Sequence, residues 1–401
     1  MNRIILIPAL AASLAAPLAA QVALPGVSLP RVGDVLRPVT DTLEDTTRVA
    51  TDLARDRLRM IDRLVRANRD IIERDAAGEP ARKGELLVMD AAADRLVEAE
   101  KLGFIVIERD DIDDLGISVT RMRTPRGMSL AKAQALLSAT LPDAIISADN
   151  LHFQSGRGSG VATQFAAAAG GTASSAEVGM IDGASGASVP VIATRGFASG
   201  APYPSHHGSA IASLLRSAGV ARVRVADVYG TDKAGGNALA IARGLGWLVG
   251  QGSDVVTISL VGPRNPVLER AIAAARRKGV VVVAAVGNDG PAAPPAYPAS
   301  YDGVVAVTAV DGKRRALIEA GKALHLDYAA PGADISGLNA KGKRITLRGT
   351  SFATPLVAAR IARAGTGNWR DALDKEAIDL GRKGVDDTYG RGLVCAPCKG
   401  R

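Results

Sequence analysis

From residue 177 onward, short apolar runs alternate with stretches whose apolar residues recur at helical spacing. The Val-rich runs predict strands at 177–181, 223–228, 255–260, 280–286 and 304–310. The helical stretches lie between or after them, at 207–218, 238–250, 267–278 and from about 350 onward. Strands that are apolar on both faces and alternate with helices predict a parallel sheet with helices on both faces, which is an α/β fold.

Residues 84–153 show a different pattern, which predicts a small α+β unit. Apolar runs predict strands at 85–89, 104–108, 117–123 and 144–147, and helical spacing predicts helices at 91–101 and 129–140. The order β-α-β-β-α-β is that of a ferredoxin-like unit. Because this unit contains no plausible pair of nucleophile and base, we expect it to act as a chaperone or inhibitor.

The N-terminal residues predict a signal peptide at 1–20. Arg3 precedes an uncharged apolar run at 4–18, and small residues follow at Ala19, Ala20 and Ala23. This is the pattern of a secretory signal, which is too short to span a membrane. We therefore expect export to a periplasm or the extracellular space, and no later apolar run predicts a membrane anchor.

Three further segments separate these units. Residues 21–40 contain several Pro and Gly and predict a linker, and the Gly- and Ser-rich residues 154–176 predict a second, protease-accessible linker. Residues 41–78 predict an amphipathic helix over 41–75, because Ala54, Leu58, Ile61, Val65 and Ile72 recur at helical spacing. We expect this helix to pack on a neighbouring domain, although a partner-binding or coiled-coil role stays open.

Charge and cysteine content narrow the classes of partner. The net charge is +8, but 49 basic residues are interleaved with 41 acidic ones along the chain. No dense basic block with aromatic residues predicts nucleic-acid binding. Cys395 and Cys398 are the only cysteines, and their spacing favours a local disulfide over a redox or metal site. We expect neither a metal nor a cofactor.

Four polar residues are expected at one edge of the predicted sheet. Asp182 and Asn288 follow strands, and His207 and Ser351 open helices. Sites in open parallel sheets lie beyond the carboxyl ends of the strands. Each residue alone has an ordinary explanation in a turn or helix cap, but together they form the set that nucleophilic catalysis needs: a hydroxyl, a base, a carboxylate that orients the base, and an amide donor for the oxyanion.

The segments around these residues resemble those of the subtilisin-like serine proteases. The resemblance rests on Val-Gly-Met-Ile-Asp182-Gly, His207-Gly-Ser-Ala, Gly-Asn288-Asp-Gly and Gly-Thr-Ser351-Phe-Ala-Thr-Pro, and covers about residues 177–394. It implies a subtilisin-like catalytic domain at 177–401 and an inhibitory prodomain at 84–153. It also implies that Ser351 is the nucleophile, His207 the general base, Asp182 its orienting partner and Asn288 the oxyanion donor.

The same resemblance implies which residues bind the polypeptide substrate. The segment Ser259, Leu260, Val261 and Gly262 would pair with an extended peptide. The segment Ala284, Ala285, Val286 and Gly287 would form part of the pocket for the side chain before the cut. The prodomain would be bound by the same cleft as an intramolecular inhibitor.

Some positions depart from the family's pattern. Gly183 and Ala184 stand where the family usually has Ser or Thr followed by Gly, so a hydroxyl near Asp182 is missing. The alternative hypothesis to an active protease is therefore a catalytically weak or inactive relative that binds peptides through the same cleft. An esterase of the α/β-hydrolase class is disfavoured, because it needs Gly-x-Ser-x-Gly and the order Ser, acid, His.

Overall fold

The computed structural model describes residues 32–155, 157–161 and 174–395 of the chain. The chain divides into two compact units, residues 1–45 and 46–401. Helix α1 (Val32–Ala67) starts in the first unit, and all other elements lie in the second. Two lobes make up most of the second unit, and we call residues 72–150 the small lobe and residues 174–395 the large lobe.

The small lobe is an antiparallel sheet with two helices on one face. Its elements are β1 (Ile72–Arg74), β2 (Pro80–Met89), α2 (Ala93–Lys101), β3 (Ile105–Ile112), a 3₁₀ turn (Asp113–Leu115), β4 (Ile117–Arg123), α3 (Leu130–Thr140) and β5 (Ile145–Asn150). The strand order β5-β2-β4-β3, with β1 added on β2, confirms the ferredoxin-like prediction. Strand β2 is buried on both faces: Leu86 and Val88 face the helices of the lobe, and Leu87 and Met89 face the large lobe.

The large lobe is built on a seven-stranded parallel sheet. Its strands are β8 (Ser174–Asp182), β9 (Ala193–Gly196), β10 (Val220–Asp227), β11 (Val255–Ile258), β13 (Val281–Ala285), β14 (Val305–Val310) and β15 (Tyr328–Pro331), in the order β15-β14-β13-β11-β8-β10-β9. Helices α4 (His206–Ser217) and α7 (Thr350–Ala364) cover one face, α5 (Ala238–Gly250) and α6 (Pro266–Arg277) cover the other, and α8 (Trp369–Glu376) follows α7. This confirms the predicted α/β architecture.

Short strands complete the structure around the carboxyl ends of the main sheet. Strand β6 (Phe153–Gln154) pairs with β12 (Leu260–Val261), and β7 (Arg157–Val161) forms a three-stranded sheet with β16 (Ala333–Leu338) and β17 (Arg344–Arg348). The polypeptide between the two lobes therefore runs along the edge where the candidate catalytic residues were expected.

The two lobes share one apolar core. Leu87, Met89 and Ile112 of the small lobe belong to the same buried cluster as residues of α5 and α6. Close approach requires Gly246 on α5, because a Cβ there would overlap Ile112 Cγ2. Polar contacts at the helix starts add to this packing: Leu239 N–H donates to Asp149 Oδ1 (3.0 Å), and Asn265 Nδ2 donates to Ala148 O (2.9 Å).

The structure corrects several boundaries that the sequence pattern suggested. The predicted helix at 41–75 ends at Ala67, and Ile72 is instead in β1, where it pairs with Arg82. The predicted linker at 21–40 is helical from Val32, and residues 157–161 of the second linker form β7. The predicted signal peptide, residues 162–173 and Cys398 lie outside the described residues, whereas Cys395 is disulfide-bonded.

Within the described ranges, no helix has the length and apolar character that crossing a membrane requires.

Substituting Gly246 tests the packing between the lobes. We expect Gly246→Val, in a chain that also carries Ser351→Ala, to lower the free energy of unfolding by about 1–3 kcal/mol, because the added methyl groups overfill the interface. Denaturant unfolding measures this. Gly367→Val is the control, since a Cβ at Gly367 meets no atom within 4 Å. Equal losses for the two variants would contradict the prediction.

Candidate active site

Asp182 is the last residue of β8, and its carboxylate is fully buried. Its Oδ2 is hydrogen-bonded to His207 Nδ1 at 2.8 Å. Its Oδ1 accepts hydrogen bonds from Gly183 N–H (2.7 Å) and Gln154 Nε2 (3.0 Å). The carboxylate is thus fixed on both oxygens and can hold one imidazole tautomer and orientation.

His207 lies in the first turn of α4. Ser205 caps this helix by accepting a hydrogen bond from Gly208 N–H at 2.8 Å, which fixes the turn that carries the imidazole. The ring packs on Phe352, with centroids 5.3 Å apart. Its Nε2 is buried and has no hydrogen-bond partner among the described residues. One imidazole nitrogen is therefore anchored and the other is left for a proton transfer.

Ser351 lies in the first turn of α7 and is fully buried. Its Oγ donates a hydrogen bond to Ser259 O (3.0 Å) and lies 2.7 Å from Ser155 Oγ. Its backbone N–H donates to the carbonyl oxygen of Ser155 at 3.1 Å. The start of a helix favours negative charge, so this N–H is suited to bind an oxyanion.

The Asn288 side chain is bonded to the residue that precedes Ser351. Thr350 N–H donates to its Oδ1 at 3.0 Å, which turns the amide so that Nδ2 is the free end. Among the described residues, that Nδ2 is buried without a partner. A buried donor without a partner is costly in a folded protein, and such sites are often poised for ligands or reaction intermediates.

A larger residue at position 183, where the family usually has a hydroxyl residue, is opposed by a steric constraint. A Cβ at Gly183 would overlap Ser205 Oγ and lie 2.8 Å from Ser205 Cβ. The space next to Asp182 is therefore filled by the residue that caps α4. The bonds that a hydroxyl could supply come instead from Gly183 N–H and from Gln154.

Three of the four predicted backbone-pairing residues have their backbone partners in residues 153–155 of this same chain. Gln154 pairs with Leu260 and Phe153 with Val261, in antiparallel register, and Ser155 N–H donates to Ser259 O at 3.3 Å. Gly262 is the exception: it exchanges two backbone hydrogen bonds with Tyr297, at 2.9 and 3.1 Å. The chain that leaves the small lobe therefore lies in the cleft as an added strand.

The predicted pocket segment is divided between core and cavity. Ala284 and Ala285 are fully buried within β13 and do not reach the site. Val286 and Gly287 line a cavity of about 770 Å³ that Ser155 also lines. Only the second half of the predicted segment is therefore placed to contact a side chain next to the candidate nucleophile.

Gln154, Ser155 and Thr350 contact the candidate catalytic groups but were not predicted from the sequence. Thr350 belongs to the Gly-Thr-Ser segment that already marked Ser351, so its position was a usable signal. Gln154 and Ser155 stand in a stretch that the composition predicts to be a linker. The only usable signal for them in the sequence was their position directly after the predicted small α+β unit.

Two titratable groups beside the cleft are fully buried. Burial raises the pKa of Asp149 to about 7, despite the hydrogen bond from Leu239 N–H. Burial lowers the pKa of His152 to about 4. The carboxyl is therefore stabilised in its protonated form and the imidazole in its neutral form, next to the strand in the cleft.

No cluster of three or more His, Cys, Asp or Glu that could hold a metal ion occurs in the part of the chain that the structure describes.

A protein-family model described as the subtilase family matches residues 147–392, which include Asp182, His207, Asn288 and Ser351. This chain belongs to the subtilase family. The family is one of serine-type endopeptidases, which are hydrolases. The matched region also starts before the cleft strand at 153–154.

Curated relatives and a solved structure agree with this assignment. Subtilisin DY of Bacillus licheniformis is 31% identical over 54% of this chain and 88% of its own length, and Subtilisin Savinase of Lederbergia lenta is 34% identical over 48% and 76%. The Minor extracellular protease Epr of Bacillus subtilis is 32% identical, but the match spans only 30% of that protein and 47% of this chain. Fervidolysin of Fervidobacterium pennivorans, described as a keratinolytic enzyme related to subtilisin, shares the fold, with a TM-score of 0.67 and 18% identity over 82% of this chain and 63% of its own.

The contact between Gly183 and Ser205 can be tested with a double-mutant cycle. We expect Gly183→Ser, in the Ser351→Ala chain, to lower the free energy of unfolding by about 1–3 kcal/mol through overpacking. Ser205→Gly should recover most of this loss in the double variant, because glycine at a helix N-cap costs only about a few tenths of a kcal/mol. Additive effects of the two substitutions would show that the residues do not compete for space.

The opposite pKa shifts of Asp149 and His152 predict opposite pH dependences when each is removed. Asp149 has a raised pKa, so its contribution to stability is lost as the pH rises from about 4 to about 7. His152 has a lowered pKa, so its contribution is lost as the pH falls from about 6.5 to about 4. Relative to the wild-type residues, Asp149→Asn should lose stability on acidification from pH 6 to pH 4.5, and His152→Gln should gain it, by about 1.4 kcal/mol per pH unit at most.

Denaturant unfolding of the Ser351→Ala chain at the two pH values measures both changes. Slopes of the same sign for the two variants would contradict the assignment.

Proposed function

We propose that this chain is the precursor of an exported serine endopeptidase, in which residues 177–401 are catalytic and residues 84–153 are an intramolecular inhibitor. Membership of the subtilase family supports the reaction. The predicted signal peptide supports export, and one relative is named an extracellular protease. The polypeptide strand in the cleft supports a peptide substrate.

In this proposal each polar group at the cleft has one role. His207 Nε2 takes the proton of Ser351 Oγ while the Oγ forms a bond to the substrate carbonyl carbon. Asp182 holds Nδ1–H and stabilises the imidazolium. Ser351 N–H and Asn288 Nδ2 stabilise the oxyanion. Collapse to the acyl-enzyme breaks the C–N bond, and His207 returns the proton to the leaving amine; water then repeats the sequence and releases the acid.

The observation that carries the proposal is the position of the Ser155 carbonyl. Its oxygen accepts the hydrogen bond of Ser351 N–H at 3.1 Å, and Ser155 N–H is bonded to Ser259 O at 3.3 Å. Both backbone groups of Ser155 are therefore hydrogen-bonded in the cleft. This is the position expected for the residue that precedes a scissile bond. We therefore propose that the enzyme first cleaves its own chain on the carboxyl side of Ser155.

The arrangement also accounts for inhibition. Ser351 Oγ is engaged by Ser259 O and Ser155 Oγ, so it must turn toward the free Nε2 of His207 before it can attack. After cleavage, the 153–155 strand can stay paired with β12 as a bound product. The apolar contacts between the lobes and the Arg82–Asp232 ion pair (2.7 Å) hold the small lobe in place.

The alternative is an inactive relative that binds peptides, and it is favoured by the lack of a hydrogen bond between Ser351 Oγ and His207 Nε2. Self-cleavage distinguishes the two functions, because only an active enzyme cleaves its own chain. The chain should be expressed without residues 1–20, beside Ser351→Ala, and followed by intact mass and N-terminal sequencing. We expect a new N-terminus at Gly156 in the wild type alone. A full-length wild type that also fails to react with a fluorophosphonate would favour the alternative.

Asn288→Ala tests the oxyanion role. We expect the variant to fold and to cleave after Ser155 about 10²–10³ times more slowly, the loss already known for the corresponding donor of subtilisin. A time course of cleavage in the purified precursor measures this. Thr388→Ala, at a turn position outside the candidate site, is the control. If Thr388→Ala cleaved as slowly as Asn288→Ala, a specific oxyanion role of Asn288 would be contradicted.

A further inference from the structure

One face of helix α1 lies against the loop that begins with Asn288. A Cβ at Gly290 would lie 2.9 Å from Leu53 Cβ and 3.5 Å from Ala50 O, so the helix packs directly against Gly290 of this loop. Ala50 is buried in this contact. The helix therefore lies next to the candidate oxyanion site and is not explained by the fold of either lobe.

Arg57 on the same face joins three parts of the chain. Its guanidinium contacts Glu79 Oε2 at 2.7 Å and Asp289 Oδ2 at 3.3 Å. The arginine side chain is only 13% exposed and Glu79 17% exposed, whereas Asp289 is 38% exposed. Because water competes less with a shielded pair, Arg57 holds Glu79 more firmly than it holds Asp289. Arg57 thus ties α1 to the small lobe and to the neighbour of Asn288.

Helix α1 also lines the cavity beside Ser155. Val49, Leu53, Arg57 and Met60 form its wall on the helix side, and the cavity extends to Gly287 and Ser155 on the other side. The helix thus forms one wall of the cavity into which the side chain before the proposed scissile bond would extend.

The C-terminal end of α1 is attached to the strand in the cleft. Leu64 and Val65 pack, together with Phe153, against a small buried cluster that contains Leu151. In contrast, Arg55 and Arg59 pair with Asp52 and Asp56 on the same helix, and all four side chains are more than half exposed. The helix therefore packs against the protein with one face and exposes the opposite face to solvent.

We propose that residues 46–67 of α1 are a second inhibitory segment, which keeps the cleaved small lobe on the enzyme and the pocket covered until Arg57 leaves Asp289. This inference rests on the proposed self-cleavage after Ser155. Cleavage and activation are then separate steps: the first breaks the peptide bond, and the second requires release of α1 together with the 153–155 strand.

The test uses the full chain without residues 1–20 and three variants: Arg57→Ala, Leu53→Asp and the control Arg59→Ala. Two rates are followed in each, namely cleavage after Ser155 by gel and mass, and labelling of Ser351 by a fluorophosphonate. We expect all four proteins to be cleaved at similar rates, which also shows that they fold. Arg57→Ala should become labelled about two- to fivefold faster than wild type, as expected for the loss of the partly exposed Arg57–Asp289 ion pair.

The second variant and the control make the outcome specific. Leu53→Asp disrupts the contact with Gly290 without removing the Arg57–Glu79 pair, so it should also be labelled faster, whereas Arg59→Ala should match the wild type. Normal cleavage with unchanged labelling in Arg57→Ala and Leu53→Asp overturns the role of α1 and leaves the proposed function standing. A wild type that is neither cleaved nor labelled overturns both.

Discussion

The hydrogen bond from Ser351 N–H to the Ser155 carbonyl is the contact on which the proposed account depends. It joins the segment that follows the small lobe to the start of α7. It can form only because β6 is aligned along β12, and β6 is aligned because β2 and its neighbours are fixed on α5 and α6. Packing far from the site therefore determines which carbonyl group reaches the candidate nucleophile.

The polar groups around this contact are oriented by local hydrogen bonds at the ends of strands and helices. Asp182 ends a buried strand, and Ser205 caps the helix that carries His207. Thr350 turns the amide of Asn288. Each of these bonds uses a backbone group at the end of an element, where the regular hydrogen bonding of the helix or strand stops. The site thus takes its geometry from the ends of the elements, as open α/β sheets generally allow.

The sequence predicted the features that depend on periodic burial. The Val-rich strands and helix α5 (Ala238–Gly250) follow the predicted bounds closely, because their residues are buried on nearly every side. The pattern failed at Ile72, which fits the helical spacing of α1 but pairs with β2, since a single apolar residue satisfies both periods. Strands β16 and β17 were not predicted, although Ile345 and Leu347 alternate with polar residues in β17 and so have the period of a half-buried strand. Gln154 reaches Asp182 only through tertiary structure, so its contact has no local signal.

The hydrogen bond between positions 155 and 351 can be measured directly. A Ser351→Ala precursor, labelled with ¹³C at the carbonyl of residue 155 and with ¹⁵N throughout, would be studied by NMR for a scalar coupling across this hydrogen bond. The account predicts a measurable coupling and an amide at position 351 that exchanges slowly with solvent. An amide without this coupling that exchanges as fast as those of exposed loops would show that Ser155 is not held in the cleft.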